Sequence, residues 1–168
     1  AYEIYQCDWS SDVCSSDLNL RDLRNFRLFT HAGCMDGSAA AILFMHAGGL
    51  KKNITLVKAG HVEDAWSESR ASKEFTPVLF VDIAPATDDL ARELSIRTDT
   101  FVIDHHASAA KFQNLDGFSI DVKNAACGSE NFRQWLIRQG FEQFLHPAFE
   151  RFCRIIDDHD RWQQNIPF

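Results

Sequence analysis

Asp104, His105 and His106 stand in a row at the end of the apolar run Phe101-Val102-Ile103. A carboxylate beside two imidazoles can be a hydrogen-bonded core pair, the relay behind a serine or cysteine nucleophile, or a set of metal ligands. Three further clusters of the same kind add weight to the last use. They are His31 with Cys34 and Asp36, Asp82 at the end of Val78-Leu79-Phe80-Val81, and Asp157-Asp158-His159-Asp160 ahead of Trp162. A carboxylate buried without a partner is strongly unfavourable, so carboxylates gathered at one place need cations between them. Imidazole and carboxylate with at most one thiol suit Mn²⁺ or a similar first-row ion better than a structural zinc site. The donors outnumber what a single ion needs, which argues for two.

These residues can act together only if the chain brings them to one edge. Leu28 to His31, Ile54 to Val57, Val78 to Asp82, Phe101 to Asp104 and Phe118 to Asp121 read as five short strands, apolar until a polar residue closes most of them. Between most of them lie helical stretches. Ser38 to His46 is Ala-rich and is stopped by Gly48-Gly49, and a weakly amphipathic segment surrounds Ala65 and Trp66. Thr87 with Asp88 and Asp89 opens a helix that turns Leu90 and Leu94 inward. Phe132, Trp135 and Leu136 mark a fourth helix, after a loop from Lys123 to Ser129, and Phe149, Phe152, Cys153 and Ile156 mark the last.

Strand starts roughly fifteen to thirty residues apart have the spacing of right-handed βαβ crossovers. The predicted fold is therefore α/β, an open and mainly parallel five-stranded sheet with helices on both faces. Parallel strands would place His31, Asp82 and Asp104-His105-His106 at one edge, where such sheets bind ligands. Asp36, expected at or just before the start of the first helix, also fits a simple N-cap. Asp88 and Asp89 read as first-turn charges, and His46 and His61 as surface histidines.

The sequence has 168 residues, five cysteines and a formal net charge of −7. Its first eighteen residues, AYEIYQCDWSSDVCSSDL, resemble an in-frame translation of a sequencing-library adapter and are expected to be a foreign, disordered leader. Setting them aside removes Glu3, Asp8, Asp12 and Asp17 with no basic residue, which leaves 20 acidic against 17 basic residues and a net charge of −3. Cys7 and Cys14 leave too, so Cys34, Cys127 and Cys153 remain, widely spaced. That pattern, with no secretory segment and no membrane-length apolar run, predicts a reducing cytoplasm. Near-balanced charge offers no basic stripe for long duplex DNA.

From Phe26 to Trp162 the chain resembles the DHH phosphoesterase superfamily, close to its oligoribonuclease and cyclic-nucleotide phosphodiesterase-like members. The first motif is matched by His31-Ala-Gly-Cys34-Met-Asp36-Gly37, the second by Val81-Asp82 and the third by Asp104-His105-His106. The fourth is resembled by Asp158-His159-Asp160-Arg161-Trp162, and the intervening stretch by Asp121 and Cys127-Gly128-Ser129. The resemblance implies a Rossmann-like catalytic domain over residues 19–168 and a separate C-terminal substrate-binding domain that this sequence lacks. It implies two Mn²⁺ ions, with Mg²⁺ or Co²⁺ as substitutes. His31 and Asp82 would hold one ion, and Asp36, Asp82, His105 and Asp158 the other.

Catalysis would centre on Asp104, His105 and His106, with Asp104 orienting imidazoles and His106 meeting the phosphate or protonating the leaving oxygen. Ser129 and Arg161 would join His106 in binding substrate. Cys34 stands where many relatives carry a further aspartate ligand, so it reads as a possible ligand or as a small buried thiol. Asp160 competes with Asp158 for the fourth-motif role. The implied reaction is in-line hydrolysis of a phosphodiester or phosphomonoester by a hydroxide activated by two metals. Its substrate would be a small nucleotide or a short single-stranded oligonucleotide. A pyrophosphate or polyphosphate hydrolase and a non-catalytic nucleotide-binding domain are the alternatives.

Overall fold

The computed structural model describes residues 20, 22–70, 77–122, 126–163 and 165–166. The expected leader, residues 1–18, and residues 123–125 of the expected loop lie outside the described residues. Five strands, β1 (Arg27–His31), β2 (Ile54–Val57), β3 (Val78–Val81), β4 (Thr100–Asp104) and β5 (Phe118–Ile120), form one sheet. Their order is β2-β1-β3-β4-β5, and every pairing is parallel.

Parallel neighbours need crossovers. These are α1 (Met35–His46), α2 (Val62–Arg70), α3 (Asp88–Ser95) and the 3-10 segment Ala107–Phe112, and they are followed by α4 (Gly128–Arg138) and α5 (Pro147–Asp160). The chain leaves β1 toward one edge and then builds β3, β4 and β5 toward the other. The direction reverses between β1 and β3, and the ends of those two strands flank the crevice where such sheets seat ligands.

Successive side chains of a strand point to opposite faces, and here each face has its own core. Leu28, Leu79, Val81 and Ile103 pack with Leu43 and Phe44 of α1, Phe132 and Leu136 of α4, and Cys153 of α5. Phe29, Phe80 and Val102 pack with Val62 and Trp66 of α2 and with Leu90 and Leu94 of α3. Helices thus cover both faces. The central strand β3 is buried at all four positions, which is why its sequence is an unbroken apolar run.

Two helix starts differ from the sequence expectation. Helix α1 begins at Met35, not Ser38, because extended Cys34 serves as its N-cap and its Sγ accepts the Gly37 N–H at 3.1 Å. Asp36 therefore lies inside the first turn. Gly37 lets that turn press on β1, since a Cβ there would stand 2.1 Å from the His31 carbonyl oxygen. Helix α4 begins at Gly128, so Gly128 and Ser129 form its first turn where a loop was expected. Asp88 and Asp89 do sit in the first turn of α3, behind the Thr87 cap.

Candidate metal centre

β1, β3 and β4 deliver His31, Asp82 and Asp104-His105-His106 to the crevice at the reversal of strand order. Asp82 comes directly after β3 with a φ of 60°, a left-handed conformation uncommon outside glycine but tolerated by Asp and Asn. Its N–H donates to the Ile103 carbonyl at 3.0 Å, which fixes the turn. The carboxylate is buried and spans two groups of donors. Oδ1 lies 3.2 Å from His105 Nε2, while Oδ2 accepts from the Cys34 thiol at 3.1 Å and stands 3.9 Å from His31 Nδ1.

His105 Nε2 faces three carboxylates at once: Asp82 at 3.2 Å, Asp36 at 3.6 Å and Asp160 at 3.7 Å. One ring nitrogen carries at most one proton, so it can donate to only one of them. Burial and mutual charge both show in the ionisation of these groups. Burial pushes the Asp82 carboxyl up to about 7, with the His105 hydrogen bond opposing and the Asp36 charge adding. Asp160 is also raised, by burial and then by Asp36. For His105, burial pulls downward, but Asp82 and Asp36 outweigh it and hold the imidazole above its ordinary value. Cys34 is pushed up to about 12 by burial, which the Gly37 N–H only partly offsets, and with no ion bound its thiol donates to Asp82.

Among the described residues, three sets offer donor atoms that lie within 4.8 Å of one another: Asp82, Asp104, His105 and His106; His31, Cys34 and Asp82; and Asp36, His105 and Asp160. Imidazole nitrogens and carboxylate oxygens with a single thiol fit divalent first-row cations. Asp82 belongs to two of the sets, as does His105.

Asp36 is fully buried and is tied to a helix far along the chain. Its Oδ2 accepts the Gly128 N–H at 2.6 Å and its Oδ1 the Ser129 N–H at 2.8 Å, so it caps α4 as well as facing His105. Free N–H groups at a helix start favour a carboxylate in this position. Gly128 is required by proximity. A Cβ there would lie 2.7 Å from Asp82 Cβ and 2.8 Å from Asp82 Cα, so any side chain would push α4 off the end of β3.

His106 is held by Asp104, whose Oδ1 lies 2.7 Å from Nδ1. That hydrogen bond raises the imidazole pKa to about 9 against the opposing effect of burial. Asp104 is buried, whereas the His106 side chain is 46% exposed. With Nδ1 occupied, Nε2 is the atom left for a ligand. His31, Asp82, Asp104 and His106 all line a cleft of about 330 Å³.

The side chains of Asp158, Ser129 and Arg161 are engaged outside this group of donors. Asp158, the expected fourth-motif ligand, accepts the Asn165 and Ile166 N–H groups at 3.0 and 3.1 Å and closes the end of α5; Asp160 is the carboxylate that faces His105. Residues two apart on a helix point to nearly opposite sides. Asp160 follows Cys153 by seven residues and Ile156 by four, so it continues the inward stripe of α5, a signal the sequence carries. Ser129, an expected substrate contact, is buried, with its hydroxyl 3.3 Å from Cys127 Sγ. Arg161, the other, pairs with Asp157, which also accepts the Cys127 N–H. The structural parts of Gly128 and of the Asp36 cap on α4 depend on contacts between distant segments and left no local signal.

No protein-family model, curated protein or solved structure matches this chain.

Proposed function

We propose that this chain is a divalent-metal-dependent phosphoesterase, a hydrolase that cleaves phosphodiester or phosphomonoester bonds of short oligoribonucleotides or cyclic nucleotides. The observation that carries the proposal is the single imidazole nitrogen of His105 facing Asp36, Asp82 and Asp160, beside a carboxylate-held His106 that opens on a cleft. The likeness of its four motifs to the DHH superfamily supports the same reading. Mn²⁺ suits the donors best, with Mg²⁺ or Co²⁺ as substitutes. His31 and Asp82, with Cys34 beside them, would hold one ion; Asp36, Asp82, His105 and Asp160 would hold the other, with Asp160 in the place first expected for Asp158.

When bound, the ions would polarise the phosphoryl group, activate water and offset charge on the departing oxygen. The protein's own contribution begins with His106, which presents Nε2 to the phosphate or the leaving oxygen while Asp104 fixes its tautomer and orientation. A protonated His106 can place a hydrogen bond, or a proton, on an oxygen that gains charge. The ties of Asp36 to Gly128 and Ser129 keep its carboxylate in one position, and the tight approach of Gly128 to Asp82 holds that carboxylate in place. The free thiols of Cys34, Cys127 and Cys153 support a reducing cytoplasm as its location. Among the described residues, no helix is long and apolar enough to cross a membrane.

The test is hydrolysis of a short oligoribonucleotide, a cyclic nucleotide and inorganic pyrophosphate with Mn²⁺ present and after chelation. Metal-dependent cleavage of either nucleotide is expected. Cleavage of pyrophosphate alone would instead make the chain a pyrophosphate hydrolase, and nucleotide binding without turnover a sensor.

Cys34 gives a more specific check, because a thiolate ligand selects softer ions than a carboxylate does. Cys34→Asp is expected to raise Mn²⁺- and Mg²⁺-supported activity relative to Zn²⁺-supported activity. An unchanged metal profile would mean that Cys34 caps α1 and donates to Asp82 without ligating metal.

A further inference from the structure

Ile83, Ala84 and Pro85 line the cleft from the stretch between the Asp82 turn and α3, and Val62 lines it from the first residue of α2. That stretch has no helix or strand of its own to fix it. Its near end is held by the Asp82 N–H on the Ile103 carbonyl and by the close approach of Gly128 to Asp82. Its far end is held by Glu63 of α2. A single oxygen, Oε1, accepts the Ala86 N–H at 3.0 Å, the Thr87 N–H at 3.0 Å and the Thr87 hydroxyl at 3.1 Å. Hydrogen bonds to an ionised acceptor are the strong ones, and three on one carboxylate make a firm clasp. Glu63 is not among the residues that line the cleft or offer donors to a metal. Nor are α2 and α3 joined by it alone, since Trp66 Nε1 donates to Glu93 at 3.1 Å and Val62 and Trp66 pack with Leu90 and Leu94.

We propose that Glu63 is a positioning residue for substrate binding: by clasping Ala86 and Thr87 it holds the wall at residues 83–85 against α2 and fixes the shape in which the cleft receives the organic body of a nucleotide. The inference rests on the phosphoesterase reading and adds to it a residue outside the metal centre. The sign of the effect separates a clasp from a charge. A negative group beside a site for anions opposes their binding, so a Glu63 that acted through charge alone would, once neutralised, let nucleotides bind more tightly. A clasp has the opposite effect, because a released wall has to be ordered again each time a ligand enters.

The test measures binding of adenosine 5′-monophosphate to the Mn²⁺-loaded protein by calorimetry, beside amide hydrogen exchange of the free protein. Glu63→Ala should weaken the nucleotide roughly tenfold, as the cost of ordering a released segment would. Exchange at Ala86 and Thr87 should speed up, while Mn²⁺ stoichiometry and affinity stay at wild-type values. Two milder variants separate reach from charge. Glu63→Gln keeps an acceptor oxygen in place without the charge and should retain most of the affinity, whereas Glu63→Asp keeps the charge but withdraws the acceptor and should lose affinity as Glu63→Ala does. Unchanged nucleotide affinity in Glu63→Ala and Glu63→Asp, with only a lower melting temperature, would make Glu63 a cap for α3 and overturn the assignment. Tighter binding in Glu63→Gln overturns it too, and both results leave the phosphoesterase reading standing. Failure of the wild-type protein to bind the nucleotide overturns both.

Discussion

Asp82→Asn should abolish metal-dependent hydrolysis and leave the fold intact. Asparagine matches aspartate in size and tolerates the left-handed backbone at this position, where φ is 60°, so the turn after β3 survives the change. What goes is a carboxylate that faces both the His31–Cys34 side and the His105 side of the centre. Even partners standing behind metal ligands typically matter by about 10–100-fold in affinity or activity, so loss of a shared ligand should exceed roughly a hundredfold. Stability should move the opposite way. Burial holds the Asp82 carboxyl up near 7, so at neutral pH its charge is a liability to the metal-free fold, and the neutral amide relieves it. Denaturant melts of the metal-free proteins should find Asp82→Asn at least as stable as the wild type. A variant that loses activity only because it unfolds would contradict this reading.

His106→Gln should separate catalysis from metal binding. Glutamine can still reach the cleft, but it cannot deliver a proton, and general acid catalysis typically contributes about 10²–10⁴-fold. A drop of that order in kcat is expected with Mn²⁺ stoichiometry unchanged. Asp104→Asn should show a milder loss of about 10–100-fold, because it takes the negative charge from the 2.7 Å partner of the imidazole without removing the ring. Steady-state kinetics beside a metal titration distinguish the two roles. If His106→Gln loses an ion, the residue is a ligand and its assignment to the phosphate is wrong.

The sheet was legible in the sequence because its strands are covered on both faces. Val78 to Val81 and Phe101 to Ile103 had to be apolar throughout, and the polar residue that ends each run marks the ligand-binding edge. The start of α1 was hidden because its cap is a thiol, Cys34 Sγ, and not a hydroxyl or carboxylate. The start of α4 was hidden for a tertiary reason. Gly128 and Ser129 are poor helix formers, and what anchors them is Asp36, 92 and 93 residues earlier in the chain. His31, Asp36, Asp82, Asp104, His105 and His106 could all be picked out by residue type and by their place at strand or helix ends. Choosing between Asp158 and Asp160 depends on the rotation of α5, which the packing of Cys153 and Ile156 sets.

Calorimetric titration of Mn²⁺ into the metal-free protein tests the metal centre most directly, since it needs no substrate. Saturable binding of two ions per chain is expected in the wild-type protein, with both sites damaged in Asp82→Asn. Absence of saturable binding, or the same binding in wild type and Asp82→Asn, would contradict a centre built on that carboxylate.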